Sequence, residues 1–318
     1  MQRMNSCCRA VTLWLAAMPI AGASAQTTDT TTTETCSIPV GTLLEGDPLR
    51  DLHPRALKFV ERGRGFFANG RYREALAEYD CALSIRVQMQ TEAGGASGPG
   101  AADGDRAFAA LWDAIGDARM ALHREAAALE AYEFFYAVAQ SIVDRAGGAP
   151  HLGLHQLDLA MSHVKMANAH AARREFTQAF QDYEQGLAIA RLLSEINPEA
   201  PAPLHMQAFI HGAMSFAWSA RGDGARAEAH DLAGLQIDAA LLEKTPADPF
   251  LRYDYAQALA RIGGRGGRGA CRHLTEAHEI LQDLRSRRQL NVPQQEMALM
   301  VEVMRLDRCN TQGGASGP

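Results

Sequence analysis

The sequence predicts an all-α protein in which helical hairpins stack into a solenoid, and two features support this prediction. The first is the spacing of apolar residues at three and four positions, which places them on one side of a helix. The second is an internal repeat, because Pro150, Pro198 and Pro246 lie 48 residues apart. One hairpin cannot bury both of its apolar faces, so repeated hairpins have to cover each other.

The clearest hairpin occupies residues 157–196. It contains two apolar stripes, formed first by Leu157, Ala160, Met161, Val164, Ala167 and Ala171 and then by Phe176, Ala179, Phe180, Tyr183, Leu187, Ala190 and Leu193. The intervening residues 173–175 are too few for anything but a tight reversal of the chain. An equivalent residue returns 48 positions later, Ala208 for Ala160. The pattern therefore predicts an antiparallel hairpin that belongs to a longer array.

Residues 1–25 are typical of an export signal. Arg3 and Arg9 supply the positive start, residues 10–22 form an apolar segment, and residues 23–25 supply the small side chains of a cleavage site. The apolar segment is shorter than the roughly 20 residues that a bilayer-spanning helix needs. We therefore predict cleavage after Ala25, a periplasmic or secreted mature chain, and no stable membrane insertion. An uncleaved anchor is the alternative.

The charge of the chain argues against nucleic acid as a partner. The whole sequence has a net charge of −6, and removal of Arg3 and Arg9 with the signal makes it −8. A chain with this charge repels polyanions when it is taken as a whole.

The remaining boundaries follow from composition and from where the apolar spacing begins and ends. The predicted units after the signal are a disordered or extended leader (26–53), a first hairpin (54–90), a Gly-rich linker (91–105), an array of four hairpins (106–287), a capping helix (288–310) and a disordered tail (311–318). The linker is not a phosphate-binding loop, because no Gly-Lys-Ser/Thr follows it. The capping helix is expected to cover the apolar face of the last hairpin.

The hairpins resemble the tetratricopeptide repeat (TPR) in their small and aromatic residues. The residues that carry the resemblance are Gly63, Phe66, Gly70, Tyr72, Ala75, Tyr79, Ala82 and Leu83 in the first unit, Trp112, Ile115, Gly116, Ala128 and Tyr132 in the second, and Ala167, Phe176, Ala179, Tyr183 and Leu187 in the third. Weaker matches follow in the fourth and fifth units. The resemblance covers about residues 54–287 and implies a right-handed α-solenoid of about five hairpins.

Two departures from the TPR pattern lead to further expectations. Asp231 stands where the family has an aromatic residue, which predicts a weaker lock between the helices of the fourth unit. The repeat of 48 residues is longer than the ~34 residues of the family. We expect the surplus length in extended second helices.

The resemblance also implies a concave groove, lined by the first helix of each hairpin, that binds peptides. The residues predicted to line it are Val60, Arg64, Phe67, Asp113, Asp117, Met120, Met161, Val164, Asn168, Phe209, Phe216 and Ser219. Only Asn168 matches the family's clamp for a C-terminal carboxylate, and the accompanying lysines are missing. A peptide anchored by apolar side chains is therefore favoured. Alternatively, the chain's own leader or cap covers these residues.

Four cysteines remain after the signal, and in an exported protein an even number favours disulfides. Proximity along the chain favours Cys36 with Cys81 and Cys271 with Cys309, among three possible pairings. The alternative for Cys81 is a buried free thiol on an apolar helix face.

The sequence contains no catalytic motif of a known kind, which predicts a protein that is not an enzyme and needs no cofactor. His163, His170 and His211 could meet across adjacent first helices as metal ligands. Packing of the imidazole rings is the stronger interpretation, so no metal is predicted.

An arginine-rich stretch surrounds two glycine pairs near the end of the array. It contains Arg261, Arg265, Arg268 and Arg272. A charged loop between two helices is the simpler interpretation, and a surface for an anionic partner is the alternative.

Together these features predict an exported scaffold or adaptor, in a bacterial periplasm or envelope, that binds an unidentified peptide or protein in the groove. Two alternatives remain at this point. The chain could be a non-catalytic accessory component of an envelope enzyme or signalling system, or it could form homo-oligomers through an exposed end of the array.

Overall fold

A computed structural model describes residues 48–92, 101–146, 152–267 and 269–312. Eleven helices and no strands occur in these ranges. The helices are α1 (Pro48–Ala68), α2 (Tyr72–Glu92), α3 (Ala101–Ala121), α4 (Glu125–Ala146), α5 (Leu152–Ala172), α6 (Phe176–Ile196), α7 (Pro201–Arg221), α8 (Gly224–Lys244), α9 (Pro249–Arg265), α10 (Ala270–Ser286) and α11 (Val292–Gln312).

The helices pair in chain order into five hairpins, and α11 follows the last of them. The two helices of each hairpin contact each other most extensively, and each hairpin then packs against the next. This regular succession confirms the predicted all-α solenoid. It also confirms that the last helix covers the array's end, because Leu290, Met297 and Val301 pack in one core with Leu274 and Leu281 of α10.

Paired helices approach closely where a glycine of the first helix faces a tyrosine of the second. A Cβ atom added to Gly63 would lie closer than 3.0 Å to Cε1 of Tyr79, and one added to Gly116 would lie equally close to Cε1 of Tyr132. No heavy atom fits at such distances, so only glycine lets these rings lie against the facing helix. These two pairs are the TPR-like contacts that the sequence predicted.

The internal repeat is visible as the same contact made twice. A Cβ atom on Gly186 would lie 3.0 Å from the carbonyl oxygen of Ala160. The corresponding distance from Gly234 to the carbonyl oxygen of Ala208 is 3.2 Å. The 48-residue spacing therefore reflects one helix-packing geometry that the third and fourth hairpins share.

Several predicted boundaries are wrong by a few residues. The first helix begins at Pro48 and not at residue 54, because proline needs no N–H partner at a helix start and its φ angle suits the first turn. The ends of the linker predicted at 91–105 belong to α2 and α3. Residues 311 and 312 of the predicted tail belong to α11. The remaining residues of the linker and tail lie outside the described ranges.

The surplus length of the repeats is shared between both helices of a hairpin, contrary to our expectation. Helices α3, α5 and α7 each contain 21 residues, while α4 contains 22 and α6 and α8 contain 21. Equal lengths let each helix pack along the whole of its partner.

The two predicted disulfides have different outcomes. Cys271 of α10 and Cys309 of α11 are bonded, with their Cα atoms 5.2 Å apart, which confirms this pair. Cys81 is also disulfide-bonded and is therefore not a free thiol. Its expected partner, Cys36, lies outside the described residues. So do the predicted signal (1–25) and most of the leader (26–53).

None of the described helices is both long enough and apolar enough to cross a membrane.

Replacing Gly63 with alanine should destabilise the array, because the added methyl group overlaps the ring of Tyr79. Overpacking of this kind costs about 1–3 kcal/mol. Gly65→Ala is the matched control, since it lies in the same helix with nothing within 4 Å of an added Cβ. It should stabilise α1 by up to about 1 kcal/mol. Urea unfolding followed by circular dichroism measures both, and equal midpoints for the two variants would contradict the proposed contact.

Candidate binding face

The first helices of three successive hairpins lie next to each other in the middle of the array. Helix α5 contacts α3 and α7, whereas contacts between successive second helices are weaker or absent in the described part of the chain. The TPR resemblance implies that the first helices line the concave side, and the contacts of α5 are compatible with that expectation.

The predicted groove residues fall into two groups by exposure. Nine remain at least partly open to solvent, namely Val60, Arg64, Phe67, Asp113, Asp117, Met120, Phe209, Phe216 and Ser219. Met161, Val164 and Asn168 are buried, so their assignment to an open groove is wrong. The reason is that α5 lies mid-array and is covered from both sides. The side chain of Asn168 is occupied as well, because its Oδ1 accepts a hydrogen bond from the hydroxyl group of Tyr183 at 2.6 Å.

Asp113 and Asp117, also predicted for the groove, are joined by a buried lysine. The Nζ atom of Lys165 in α5 lies 2.5 and 2.7 Å from the two carboxylate oxygens of Asp117. It lies 3.1 Å from Oδ1 of Asp113. The hydroxyl group of Tyr132 in α4 donates a further hydrogen bond to Asp117 at 2.8 Å. These four side chains tie α3, α4 and α5 together, and we call Asp113, Asp117 and Lys165 the acidic triad.

The charges of the acidic triad depend on one another. Burial alone would lower the pKa of Lys165, but the two carboxylates outweigh it and raise that pKa. Burial raises the pKa of Asp113, with a further increase from Asp117, although Lys165 opposes both. Two carboxylates against one ammonium group leave an excess of negative charge, so Asp113 is the group whose charge is compensated least.

Lys165 and Tyr132 were not predicted as site residues. The available signal for Lys165 was that it is one of three lysines in the mature chain and interrupts an apolar stripe between Val164 and Met166. A lysine that is buried there has to be paired with carboxylates, but the spacing along the chain could not identify which ones.

A second ion cluster has the opposite composition. Asp231 of α8 is fully buried, with Nε of Arg261 2.8 Å from its Oδ1 and Nε of Arg265 2.9 Å from its Oδ2. Arg265 also donates to the hydroxyl oxygens of Ser215 at 2.5 Å and Ser219 at 3.0 Å. We call Asp231, Arg261 and Arg265 the basic triad.

The basic triad revises two expectations about the end of the array. Asp231 lacks the aromatic packing of Tyr79 and Tyr183. Its ion pairs instead join α8 to α9, so the contact at this position connects two hairpins and not the two helices of one hairpin. Arg261 and Arg265 lie in helix α9 and not in a loop. Arg272 is exposed in α10, and Arg268 lies outside the described residues.

The three histidines considered as metal ligands do not converge. Nδ1 of His163 lies 3.2 Å from Asp182, and Nδ1 of His170 lies 2.7 Å from Glu175. Nδ1 of His211 lies 2.9 Å from Nδ1 of His230, so one neutral ring donates to the other. Among the described residues, no three histidine, cysteine or acidic side chains are placed to hold a metal ion.

Two buried carboxyl groups meet where α8 and α9 pack. Asp238 and Asp254 each have a buried Oδ1 atom without a hydrogen-bond partner. Oδ2 of Asp254 lies 2.6 Å from Nε2 of His205. Burial first, and the charge of Asp254 second, raise the pKa of Asp238 to about 7. Asp238 therefore keeps its proton over most of the acidic range.

Comparisons with known proteins find only distant structural similarity. No protein-family model and no curated protein matches this chain. A crystal structure of a point variant of a Podosopora anserina protein, assigned as a kinesin light chain with nearly identical TPR-like repeats, shares 19% sequence identity and has a TM-score of 0.45. The match covers 76% of this chain and 99% of that one.

A second structure of that protein shares 18% identity with a TM-score of 0.44, over 77% of this chain and all of its own. The class of this protein follows from its own helix pairs, which form an array of TPR-like hairpins.

The stability of the array should depend on the titration of Asp238. Its pKa is raised from 3.8 to about 7 on folding. The contribution of Asp238 to the unfolding free energy is therefore fully present below pH 3.8 and is lost as the pH rises through 7. The variant Asp238→Asn cannot ionise, so its unfolding free energy relative to wild type should rise by about 1.4 kcal/mol per pH unit between pH 4 and 7.

Urea unfolding at four pH values between 4.5 and 7.5 measures this difference. Asp144→Asn, in α4, is the control for removing a carboxylate that is not deeply buried. The lowered pKa of His211, about 4 because of burial and then of His230, changes stability in the opposite sense. It affects wild type and Asp238→Asn equally and cancels in the difference. A difference that stays constant with pH would rule out a proton held on Asp238.

Proposed function

We propose that this chain is an exported, non-catalytic scaffold that binds a peptide or protein segment along its first helices. The observation that carries the proposal is the pair Phe209 and Phe216 on α7. Both rings are only partly buried by the chain itself, on a first helix of the array. Stacked hairpins leave such a curved surface because each hairpin covers only its two neighbours.

The energetics of such a surface favour binding through apolar anchors. Burial of apolar area contributes about 25 cal/mol per Å², and the two phenylalanine rings retain area that a partner can cover. Aromatic side chains carry much of the binding energy in protein interfaces because they bury a large area at little cost in conformational entropy. A peptide with apolar side chains at alternate or helical spacing would place them against α7.

Binding is better supported than catalysis. The acidic and basic triads hold their charged groups in ion pairs that join neighbouring helices, which is a structural role. Asp238 and Asp254, whose Oδ1 atoms have no hydrogen-bond partner, are buried between helices. TPR-like arrays typically act by binding, although fold alone does not determine function.

A homo-oligomer is a second candidate, favoured by the outer face of α11. Leu299, Val303 and Leu306 recur at a spacing of four and three residues and are 47%, 65% and 45% exposed. This stripe lies at the end of the array, where a second copy could continue the packing. Light scattering on the mature protein distinguishes this candidate from a monomeric scaffold.

Selection from a displayed library of random peptides tests the proposed face. Peptides selected on the full mature chain should bind Phe209→Ala/Phe216→Ala at least tenfold more weakly, because both anchors of the groove are lost. The control is Leu192→Ala/Ile196→Ala, which removes exposed apolar side chains from α6 on the other side of the array. Circular dichroism should show unchanged helix content in both. Equal loss in the control, or no loss in the groove variant, would place binding elsewhere.

Export has a separate test. The full-length chain, expressed in a Gram-negative bacterium, should appear in the periplasmic fraction with Gln26 as its first residue. The basis is the positive start, short apolar segment and small-residue site of residues 1–25. Ala23→Arg/Ala25→Arg should keep the chain uncleaved, since the cleavage site requires small side chains. Recovery of wild type in the cytosol with its first residues intact would refute export.

A further inference from the structure

We infer that the binding face is polarised, and that its partner is a peptide segment carrying a basic side chain and an acidic side chain on either side of apolar anchors. The basic side chain would lie at the acidic triad and the acidic one at the basic triad. This inference rests on the proposed function and specifies the chemistry of the partner.

The two triads are inverse arrangements of charge. In the acidic triad the single ammonium group of Lys165 is the buried member, with its side chain 3% exposed, while Asp113 and Asp117 are 22% and 13% exposed. In the basic triad the single carboxylate of Asp231 is 0% exposed, while Arg261 and Arg265 are 15% and 23% exposed. In both cases the minority charge lies underneath and the majority charge faces solvent.

Each triad therefore presents an excess of one charge at the surface. Two carboxylates over one ammonium group leave one negative charge, and two guanidinium groups over one carboxylate leave one positive charge. The neighbouring pair of Arg106 and Asp158, joined by hydrogen bonds of 2.5 and 3.2 Å, is neutral as a pair and does not cancel the first excess. A charge that is only partly compensated in a low-dielectric surface attracts a partner of opposite sign.

The carboxyl groups near Arg261 do not remove the second excess. Asp254 is paired with His205 at 2.6 Å. Asp238 keeps its proton up to a pKa of about 7 because of its burial. Asp238 is therefore mostly uncharged in mildly acidic solution, and Oδ2 of Asp254 is directed to His205 and not to the two arginines.

The more exposed members of both triads lie on first helices, Asp113 and Asp117 on α3 and Arg261 and Arg265 on α9, whereas Asp231 lies on the second helix α8. Lys165 and Arg261 are separated by two repeats of 48 residues and so occupy the same place in α5 and α9. Each reaches back to the preceding unit: Lys165 to α3, and Arg261 to α8 and to Gly212 of α7, where an added Cβ would lie 2.9 Å from the guanidinium group. The apolar anchors Phe209 and Phe216 belong to the helix between these two positions.

The spacing of the triads sets the spacing of the charges in the partner. The exposed carboxylates of the acidic triad are on α3 and the exposed guanidinium groups of the basic triad are on α9, three steps apart along the first helices. At about 8–10 Å a step, they are separated by roughly 27 Å. An extended chain rises about 3.3 Å per residue, which corresponds to about eight residues. The partner is therefore an extended segment with opposite charges about eight residues apart and apolar side chains between them.

Double-mutant cycles with synthetic peptides test this inference. The probe is a fluorescent peptide with one lysine and one glutamate about eight residues apart, with leucine and phenylalanine between, and each charge is replaced by glutamine in turn. The protein variants are Asp113→Asn, which leaves Asp117 on Lys165, and Arg265→Gln, which leaves Arg261 on Asp231. Anisotropy with the full mature chain gives the four affinities of each cycle.

Asp113→Asn should weaken the lysine peptide about tenfold and its glutamine counterpart less than twofold. Arg265→Gln should weaken the glutamate peptide about tenfold and its glutamine counterpart less than twofold. The crossed pairs, Asp113→Asn with the glutamate and Arg265→Gln with the lysine, should show less than twofold coupling. For wild type, salt should weaken the charged peptide and leave the doubly neutral peptide almost unchanged, a result that needs no folded variant.

Two results would overturn the inference. Peptide binding that depends on Phe209 and Phe216, but shows neither coupling between the matched charges nor sensitivity to salt, would leave the proposed function intact. It would disprove the charge polarity of the face. Absence of any peptide binding that depends on Phe209 and Phe216 would overturn both. Arg265→Lys, which keeps the charge but loses the forked geometry, should retain most of the affinity for the glutamate peptide and so separates charge from misfolding.

Discussion

The array depends on how closely the two helices of a hairpin can approach. At Gly63 and Gly116 the absence of a side chain lets a tyrosine ring lie against the facing backbone, and the remaining apolar residues then interdigitate around it. The stacking of the hairpins depends on this distance between paired helices, because hairpins stack regularly only when each has the same thickness. A larger residue at either glycine would alter one hairpin and the position of all units beyond it.

Where this contact is lost, the chain replaces it with charge. The fourth hairpin has Asp231 in place of the tyrosine, and a buried carboxylate has to be paired to be tolerated. Arg261 and Arg265 supply the pairs from the next hairpin. The same logic operates between α3 and α5 around Lys165. Buried ions thus add links between successive units, alongside aromatic contacts such as the stacked rings of Phe180 in α6 and Trp218 in α7.

Asp113, Asp117, Arg261 and Arg265 combine two properties. They hold successive units together through ion pairs, and they remain partly exposed. A partner recognised by these charges, as proposed above, would contact the residues that join the units, and its binding would be linked to the stiffness of the array.

The sequence by itself determined the class of fold and the succession of hairpins, because the apolar period and the 48-residue repeat are properties of the chain alone. It favoured the Cys271–Cys309 pair among three pairings, and the structure decided for it. Only the tertiary structure decided that Met161 and Val164 are covered, that Lys165 meets Asp113 and Asp117, and that Asp231 is held by α9. Those outcomes depend on which neighbour lies across each helix, and spacing along one helix contains no information about the side chains that face it from another.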